Sequence, residues 1–312
     1  MTAGSSGFIL DGGLATELEA DGFDLNHPLW SGKVLLEEPA AVKAVHRRFL
    51  EAGADCVISA SYQVSFAGFE KLGLPEADAA RALTASVKLA RAARDRFWAR
   101  PANRRGRRRP LVAASVGPYG AFLADGSEYR GDYGVDESDL AAFHRRRLAV
   151  LVAAGPDLLA VETIPSAPEA RVLRRLLDEA AGAPPAWMSF TCRDGAHISD
   201  GAPIREVASE LADARPVRWV GVNCVPPRLV AAAVPRFRAA SGKPAVAYPN
   251  GDGSYDPVTK TWTPPGHAPD LGALAPEWRR RGAAVIGGCC RTRPDDTRAI
   301  RRRLDPVRGG AT

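Results

Sequence analysis

Three cysteines near the ends of two late apolar runs are the residues best suited to chemistry in this sequence. Cys224 ends GVNC, and Cys289 and Cys290 are adjacent in GGCCRT. Three thiolates are soft ligands that suit zinc and leave a fourth tetrahedral position open. Any one of them could instead be a small buried core residue, the commonest fate of free cysteine. Adjacent cysteines point in different directions on a strand, however, and the preceding glycines would let both reach one ion. The pattern therefore predicts a zinc site formed by Cys224, Cys289 and Cys290.

Such a site favours alkyl transfer to a thiol. Three thiolates give the ion a net negative charge, which makes it a poor Lewis acid for water but leaves a bound sulfur electron-rich. Coordination also deprotonates a thiol, whose free pKa is about 8.5, without any side-chain base. The histidines form no HExxH motif or other close ligand pair, which fits a reaction that needs no catalytic histidine: His27, His46, His144, His197 and His267.

Two carboxylates are candidates for substrate binding. Asp11 follows the first apolar run and Glu162 ends the fourth. If the two carboxylates bind an ammonium group, they need only a substrate amine. A glycosidase pair would instead need a sugar-binding groove with more aromatic residues. Asp11 could also be a turn residue of Asp-Gly-Gly, and Glu162 could cap the following helix.

Eight short apolar runs alternate with stretches of helical spacing, as in a parallel sheet covered by helices. Eight such units are the number that closes a TIM barrel, in which reactive groups stand at the C-terminal ends of the strands. We expect one (β/α)8 domain over residues 1–312, with the stretches 117–135 and 249–267 as loops over its mouth. The runs are FIL (8–10), CVISA (56–60), LVAAS (111–115), LLAVE (158–162), AWMSF (186–190), WVGVN (219–223), AVAY (245–248) and AVIG (284–287).

Composition fits a globular protein outside membranes. The chain has 312 residues, 46% hydrophobic and 25% charged. No signal peptide or transmembrane run is visible, and five cysteines, an odd number, fit a reduced compartment, so we expect a cytoplasmic location. The formal charge of +6 includes five arginines in RRGRRR at 104–109. That run lacks interleaved aromatics, which favours a solvated loop over a nucleic-acid patch. Oligomeric state is left open.

Several longer motifs carry a family resemblance. The chain resembles the zinc-dependent homocysteine S-methyltransferases from the first predicted strand to the last, and GVNC followed by GGCC is that family's zinc signature. The motifs are DGGLATELE at 11–19, GADCVISASYQ at 53–63, GPYGAFLADGSEYRGDYG at 117–134, VETIPS at 161–166, GVNC at 221–224, YPNG at 248–251 and GGCCRT at 287–292.

The resemblance implies roles for particular residues. Asp11 and Glu162 would hold the amino group of homocysteine, while Gly12 and Ser59 would bind its other end. Ser59 stands where the family more often has threonine. The GSEYRGDYG segment is similar to members that use S-methylmethionine or S-adenosylmethionine, and less like the betaine-using branch.

The sequence thus predicts methyl transfer from a sulfonium donor, with S-methylmethionine preferred, to homocysteine, which gives methionine. The predicted enzyme uses zinc and no organic cofactor. Four alternatives stay open: selenocysteine or another small thiol as acceptor, betaine as donor, a zinc protein without turnover, and a phosphate-binding barrel enzyme. Against the last, YPNG stands where a glycine-rich phosphate loop would follow strand seven. The roles of Tyr119, Tyr129 and Asp132 are also open.

Overall fold

Eight parallel strands form the centre of the molecule. The structure is a computed structural model that describes residues 7–251, 253, 255–256, 261–263 and 269–305. The described strands are β1 (Phe8–Ile9), β2 (Cys56–Ile58), β3 (Leu111–Val116), β4 (Leu158–Ile164), β5 (Ala186–Phe190), β6 (Val217–Asn223), β7 (Ala245–Tyr248), β8 (Tyr255–Asp256), β9 (Thr261–Trp262) and β10 (Ala283–Ile286). β8 and β9 form a separate antiparallel pair, and the other eight are ordered β1-β10-β7-β6-β5-β4-β3-β2.

The ring closes between β1 and β2, the two strands at the ends of this order. Leu10 and Cys56 form a parallel bridge. On either side of it, the Asp11 amide donates to the Cys56 carbonyl over 3.1 Å and the Asp55 amide donates to the Ile9 carbonyl over 2.7 Å. The sheet is therefore a TIM barrel, as the alternation of apolar runs predicts.

The helices outnumber the strands of the barrel. Three lie between β1 and β2 and two between β2 and β3, more than the simple alternation predicts, because helices of five to seven residues are too short to show a helical period. The described helices are α1 (Leu14–Ala20), α2 (Ser31–Glu37), α3 (Pro39–Ala52), α4 (Phe66–Lys71), α5 (Glu76–Ala99), α6 (Tyr119–Leu123), α7 (Glu137–Ala153), α8 (Ala167–Glu179), α9 (Ile204–Ser209), α10 (Pro227–Ser241), α11 (Leu271–Arg281) and α12 (Pro294–Leu304).

Strand residues alternate between two cores. Leu159 and Val161 of β4 pack in the larger cluster that the helices cover, whereas Leu158 and Ala160 belong to a second cluster. Trp187 of β5 is also in this second cluster, where it is fully buried. Because side chains alternate between the two faces of a strand, every second residue points into the barrel. Bulky residues fill the interior there.

The arginine-rich stretch is a connecting segment, as expected. It lies between α5 and β3, and its first residue, Arg104, ends a 3-10 turn at Pro101–Arg104. Arg107 donates to the carbonyls of Leu50 and Ala54, and Arg109 pairs with Asp95.

No helix in the part of the chain that the structure describes is long and apolar enough to cross a membrane.

Candidate active site

The three predicted thiols converge at the mouth of the barrel. The sulfur atoms of Cys224, Cys289 and Cys290 all lie within 4.8 Å of one another. Cys224 Sγ and Cys290 Sγ are 3.7 Å apart. A tetrahedral ion with Zn–S distances of about 2.3 Å places its sulfur ligands about 3.8 Å apart. The cluster can therefore hold a metal ion.

Backbone hydrogen bonds hold the cysteine segments together. The Cys224 amide donates to the Tyr248 carbonyl at the end of β7, and the Cys289 amide donates to the Pro249 carbonyl. Cys224 itself has a φ of 53°, in the left-handed region that non-glycine residues seldom adopt. Strain of this kind costs about 1–3 kcal/mol and persists where surrounding contacts impose it. Here it turns the chain sharply after β6, so that the thiol lies beside those that follow β10.

The thiols share negative charge. Interactions with the Cys289 and Cys290 thiols lower the pKa of Cys224 well below its usual value, despite burial. The same interactions with Cys224 raise the pKa of Cys289 and of Cys290. A cation bound among the three thiols would favour the ionised form of each of them.

Asp11 lies at the same mouth with one oxygen free. Its Oδ2 accepts a 2.8 Å hydrogen bond from the Ile58 amide on the neighbouring strand, so Asp11 is not simply a local turn residue. Its Oδ1 is buried and has no hydrogen-bond partner among the residues that the structure describes. Burial, together with the nearby charge of Glu162, raises the pKa of Asp11 well above its usual value. An unpaired buried acceptor of this kind suits a cationic donor.

Glu162 also lies at the mouth of the barrel, and it does not cap the following helix. Ser115 donates to Oε1, and the Tyr248 hydroxyl donates to Oε2 over 3.0 Å. Ser166 caps α8 instead, by accepting from the Glu169 amide. Burial raises the pKa of Glu162 to about 7, although the hydrogen bonds from Ser115 and Tyr248 oppose the shift.

The other two predicted contacts, Gly12 and Ser59, line the cavity as well. The Ser59 hydroxyl accepts from the Ser115 amide over 3.2 Å and lies 2.8 Å from the Ser61 hydroxyl. Because Ser61 donates its own proton to the Ser115 carbonyl, Ser59 donates to Ser61. Its proton is thus engaged, and it faces the cavity as an acceptor. At Gly12, a Cβ would lie 2.6 Å from Thr292 Oγ1 and 2.9 Å from the Phe49 ring, so the close packing requires glycine.

All seven predicted site residues line one cavity of about 380 Å³. Of the acids and aromatics in the stretch 117–134 that could surround a cation, only Glu128 and Tyr129 line it. The Tyr129 hydroxyl lies 3.6 Å from Cys224 Sγ. Phe122 and Tyr133 instead pack against Tyr119, with ring centroids 5.5 Å apart.

Sequence reasoning missed the residues that support Glu162 and the strand ends. Ser115 ends a predicted strand, so the rule that selected Ser59 would have selected it too. The Asn223 side chain accepts from the Thr163 amide and donates to the Thr163 hydroxyl, both over 2.8 Å, and so ties the end of β4 to the end of β6. No sequence signal marks that pairing, because it joins residues 60 positions apart.

Known proteins match the chain along nearly its whole length. A sequence model of the homocysteine S-methyltransferase family matches residues 8–304. Homocysteine S-methyltransferase YbgG of Bacillus subtilis (strain 168) is 48% identical over 292 residues, which cover 94% of this chain and 92% of YbgG. Homocysteine S-methyltransferase of Escherichia coli (strain K12) is 46% identical over 296 residues, covering 95% and 94%.

Solved structures agree with the sequence matches. The homocysteine methyltransferase MmuM from Escherichia coli, in its metallated form, superposes with a TM-score of 0.86 at 43% identity, covering 96% of this chain and 97% of MmuM. The oxidized form of MmuM gives a TM-score of 0.85. The similarity thus includes the strand ends that carry the three thiols. By sequence and by fold, the chain belongs to the homocysteine S-methyltransferase family and is a methyltransferase.

Proposed function

We propose that this methyltransferase moves a methyl group from a sulfonium donor to the sulfur of L-homocysteine, and that S-methylmethionine is its preferred donor. The observation that carries the proposal is the joint lining of one cavity by three thiols and two buried carboxylates, Asp11 and Glu162. A small substrate that has both a thiol and an ammonium group matches this pair of features, and homocysteine is such a substrate. The family match supports the same acceptor.

Cys224, Cys289 and Cys290 are the proposed zinc ligands. Bound by these three thiolates, zinc supplies a cation that lowers the pKa of the acceptor thiol and favours its thiolate form. Such a site needs reduced cysteines, which the cytoplasm provides, so we propose a cytoplasmic location and one domain over residues 1–312.

Asp11 and Glu162 orient the acceptor. The Asp11 Oδ1 atom without a partner accepts from the ammonium of homocysteine, and the ionised form of Glu162 adds a second negative charge. Gly12 and Ser59 are the proposed contacts to the rest of homocysteine, because both line the same cavity. Fixing the ammonium in this way places the thiolate toward the incoming methyl carbon, and such positioning is a large part of the rate of a bimolecular reaction.

The transfer itself is a single displacement. The sulfur of homocysteine forms a bond to the methyl carbon while the bond between that carbon and the sulfonium sulfur breaks, and the electron pair stays on the departing thioether. A neutral thioether is a better leaving group than the tertiary amine that betaine would release. Aromatic side chains in the cavity, including Trp30 and Tyr62 with ring centroids 5.9 Å apart, can surround the cation.

A donor comparison tests this function. Purified protein with measured zinc content is given homocysteine and equal concentrations of S-methylmethionine, S-adenosylmethionine or betaine. We expect S-methylmethionine to have by far the highest kcat/KM, S-adenosylmethionine a lower value and betaine the lowest. S-methylmethionine should yield two methionines per homocysteine consumed, because the demethylated donor is also methionine. Betaine turnover equal to or above that of S-methylmethionine would overturn the donor assignment and leave the acceptor assignment standing.

A further inference from the structure

We propose that Glu128 binds the α-ammonium group of the methyl donor and so makes the enzyme select donors that are amino acids. The inference rests on the proposed function, and it assigns a residue to the donor rather than to homocysteine. Besides Asp11 and Glu162, Glu128 is the cavity-lining carboxylate that is not exposed to water.

The side chain of Glu128 lacks a partner that its position requires. Its Oε2 atom is buried and accepts no hydrogen bond from any part of the chain that the structure describes. Leaving a buried acceptor unsatisfied destabilises the protein, and more so when the group is charged. A bound group with N–H donors and a positive charge removes this cost.

The other acids near the cavity are already satisfied. Asp125 accepts from both the amide and the hydroxyl of Ser127, and Asp132 is exposed and pairs with Arg130 over 3.1 Å. Glu19 and Asp24 line the rim, but both are exposed to water. With Asp11 and Glu162 assigned to the acceptor, Glu128 is the carboxylate that remains for the donor.

The backbone of Glu128 is held in place before any substrate binds. The Thr191 hydroxyl donates to the Glu128 carbonyl over 3.3 Å. Gly120 packs so closely that a Cβ there would lie 2.5 Å from the Glu128 amide nitrogen. Because this backbone is already ordered, only the side chain loses freedom when a ligand arrives, so more of the interaction appears as affinity.

The ammonium is a better match for this oxygen than the sulfonium is. A sulfonium has no N–H group, whereas the α-ammonium of S-methylmethionine donates up to three hydrogen bonds. The quaternary nitrogen of betaine has no N–H either, so betaine leaves Glu128 unsatisfied. The ammonium keeps its charge throughout the transfer, so this contact strengthens ground state and transition state alike and affects the donor KM more than kcat.

The test compares two donors in one protein. Wild type and Glu128→Gln are assayed with S-methylmethionine and with dimethylsulfoniobutanoate, the same sulfonium without the α-amino group. We expect Glu128→Gln to lower kcat/KM for S-methylmethionine roughly 10-fold or more, through KM, because a charge-assisted hydrogen bond is lost. The value for the des-amino analogue should stay within about 2-fold of wild type if the contact is to the ammonium. Asp132→Asn, in the same segment, is the matched control and should change neither value.

Both donors are assayed with the same preparation of each variant. The ratio of their kcat/KM values therefore does not depend on the fraction of protein that is correctly folded. Glu128→Ala, with zinc content and homocysteine KM measured alongside, provides a second variant. An equal loss with both donors, or no loss with S-methylmethionine, would overturn the role of Glu128 while wild-type turnover upholds the proposed function. Failure of wild type to use any sulfonium would overturn both.

Discussion

At the scale of single residues, the five cysteines divide into two groups with different surroundings. Cys224, Cys289 and Cys290 form the cluster at the mouth, while Cys56 and Cys192 are buried in the hydrophobic cores, as expected for packing residues. This division can be tested through metal content alone, without an activity assay.

We predict about one zinc per chain in the purified protein. Alanine at position 224, 289 or 290 should each remove most of it, because two thiolates leave an incomplete site. Metal analysis of the purified variants is the measurement. Cys192→Ala is the control and should keep its metal. Full metal retention in all three cluster variants would contradict the site.

The role of Glu162 gives a second residue-scale prediction. Glu162→Gln should raise the homocysteine KM by an amount equivalent to about 1.5–3 kcal/mol, with little change in the donor KM, because a charged contact to the ammonium is lost. Zinc content should stay normal. Steady-state kinetics with each substrate varied in turn distinguish this from an unchanged homocysteine KM, which would remove Glu162 from the acceptor site.

At the scale of elements, one buried carboxylate on α8 anchors the segment that carries Glu128. Glu169 accepts from the Tyr119 amide over 2.6 Å, from the Tyr133 hydroxyl over 2.7 Å and from His144 over 2.8 Å. Its side chain is fully buried. These contacts join both ends of the stretch 119–133 to the barrel, and they give Tyr119, whose role is open from sequence, a structural explanation.

We therefore predict that Glu169→Gln loosens this segment. An amide keeps one oxygen acceptor, puts an N–H group where the Tyr133 hydroxyl now donates and removes the negative charge, so the three contacts are weakened. Hydrogen exchange at residues 119–133 should become faster, and the S-methylmethionine KM should rise several-fold while the homocysteine KM stays near wild type. Glu179→Gln, at the exposed end of the same helix, is the control. Unchanged exchange and kinetics would mean that the segment is held by other contacts.

At the scale of the whole molecule, a buried histidine links fold stability to pH. His46 of α3 is fully buried, and neither ring nitrogen has a hydrogen-bond partner within the described ranges. Burial lowers the pKa of His46 from 6.5 to about 4. The unfolded chain therefore binds a proton that the folded chain excludes, and stability falls as pH drops from about 6.5 toward 4.

The expected size of this effect is roughly 2–3 kcal/mol between about pH 7.5 and 4.5. Urea unfolding of wild type and His46→Leu at both pH values measures the effect. The free energy of unfolding should fall less with pH in the variant, by that amount. Other titrating groups, the thiols included, cancel in the comparison. Equal losses in wild type and His46→Leu would show that His46 does not titrate in this way.

Much of the architecture is encoded locally, which is why the sequence predicts it. Each strand of the barrel is a short apolar run bounded by helix-forming stretches, and prolines such as Pro39 and Pro294 stand at the first turn of their helices. The sequence also indicates that the three thiols and two carboxylates meet, because barrel geometry puts the ends of parallel strands at one face. It does not predict short helices such as α1 and α6, since a few residues cannot display a period.

The sequence by itself determined the eight-stranded barrel, its family and the residue types at its mouth, because these depend on hydrophobic period and on motifs of neighbouring residues. Only the tertiary structure decided which of those groups meet. The contact of Tyr129 with Cys224, the support of Glu162 by Tyr248 and the oxygen of Glu128 without a partner depend on distances between segments far apart in the chain. Side-chain packing sets such distances, and they cannot be predicted from the spacing of residues along the sequence.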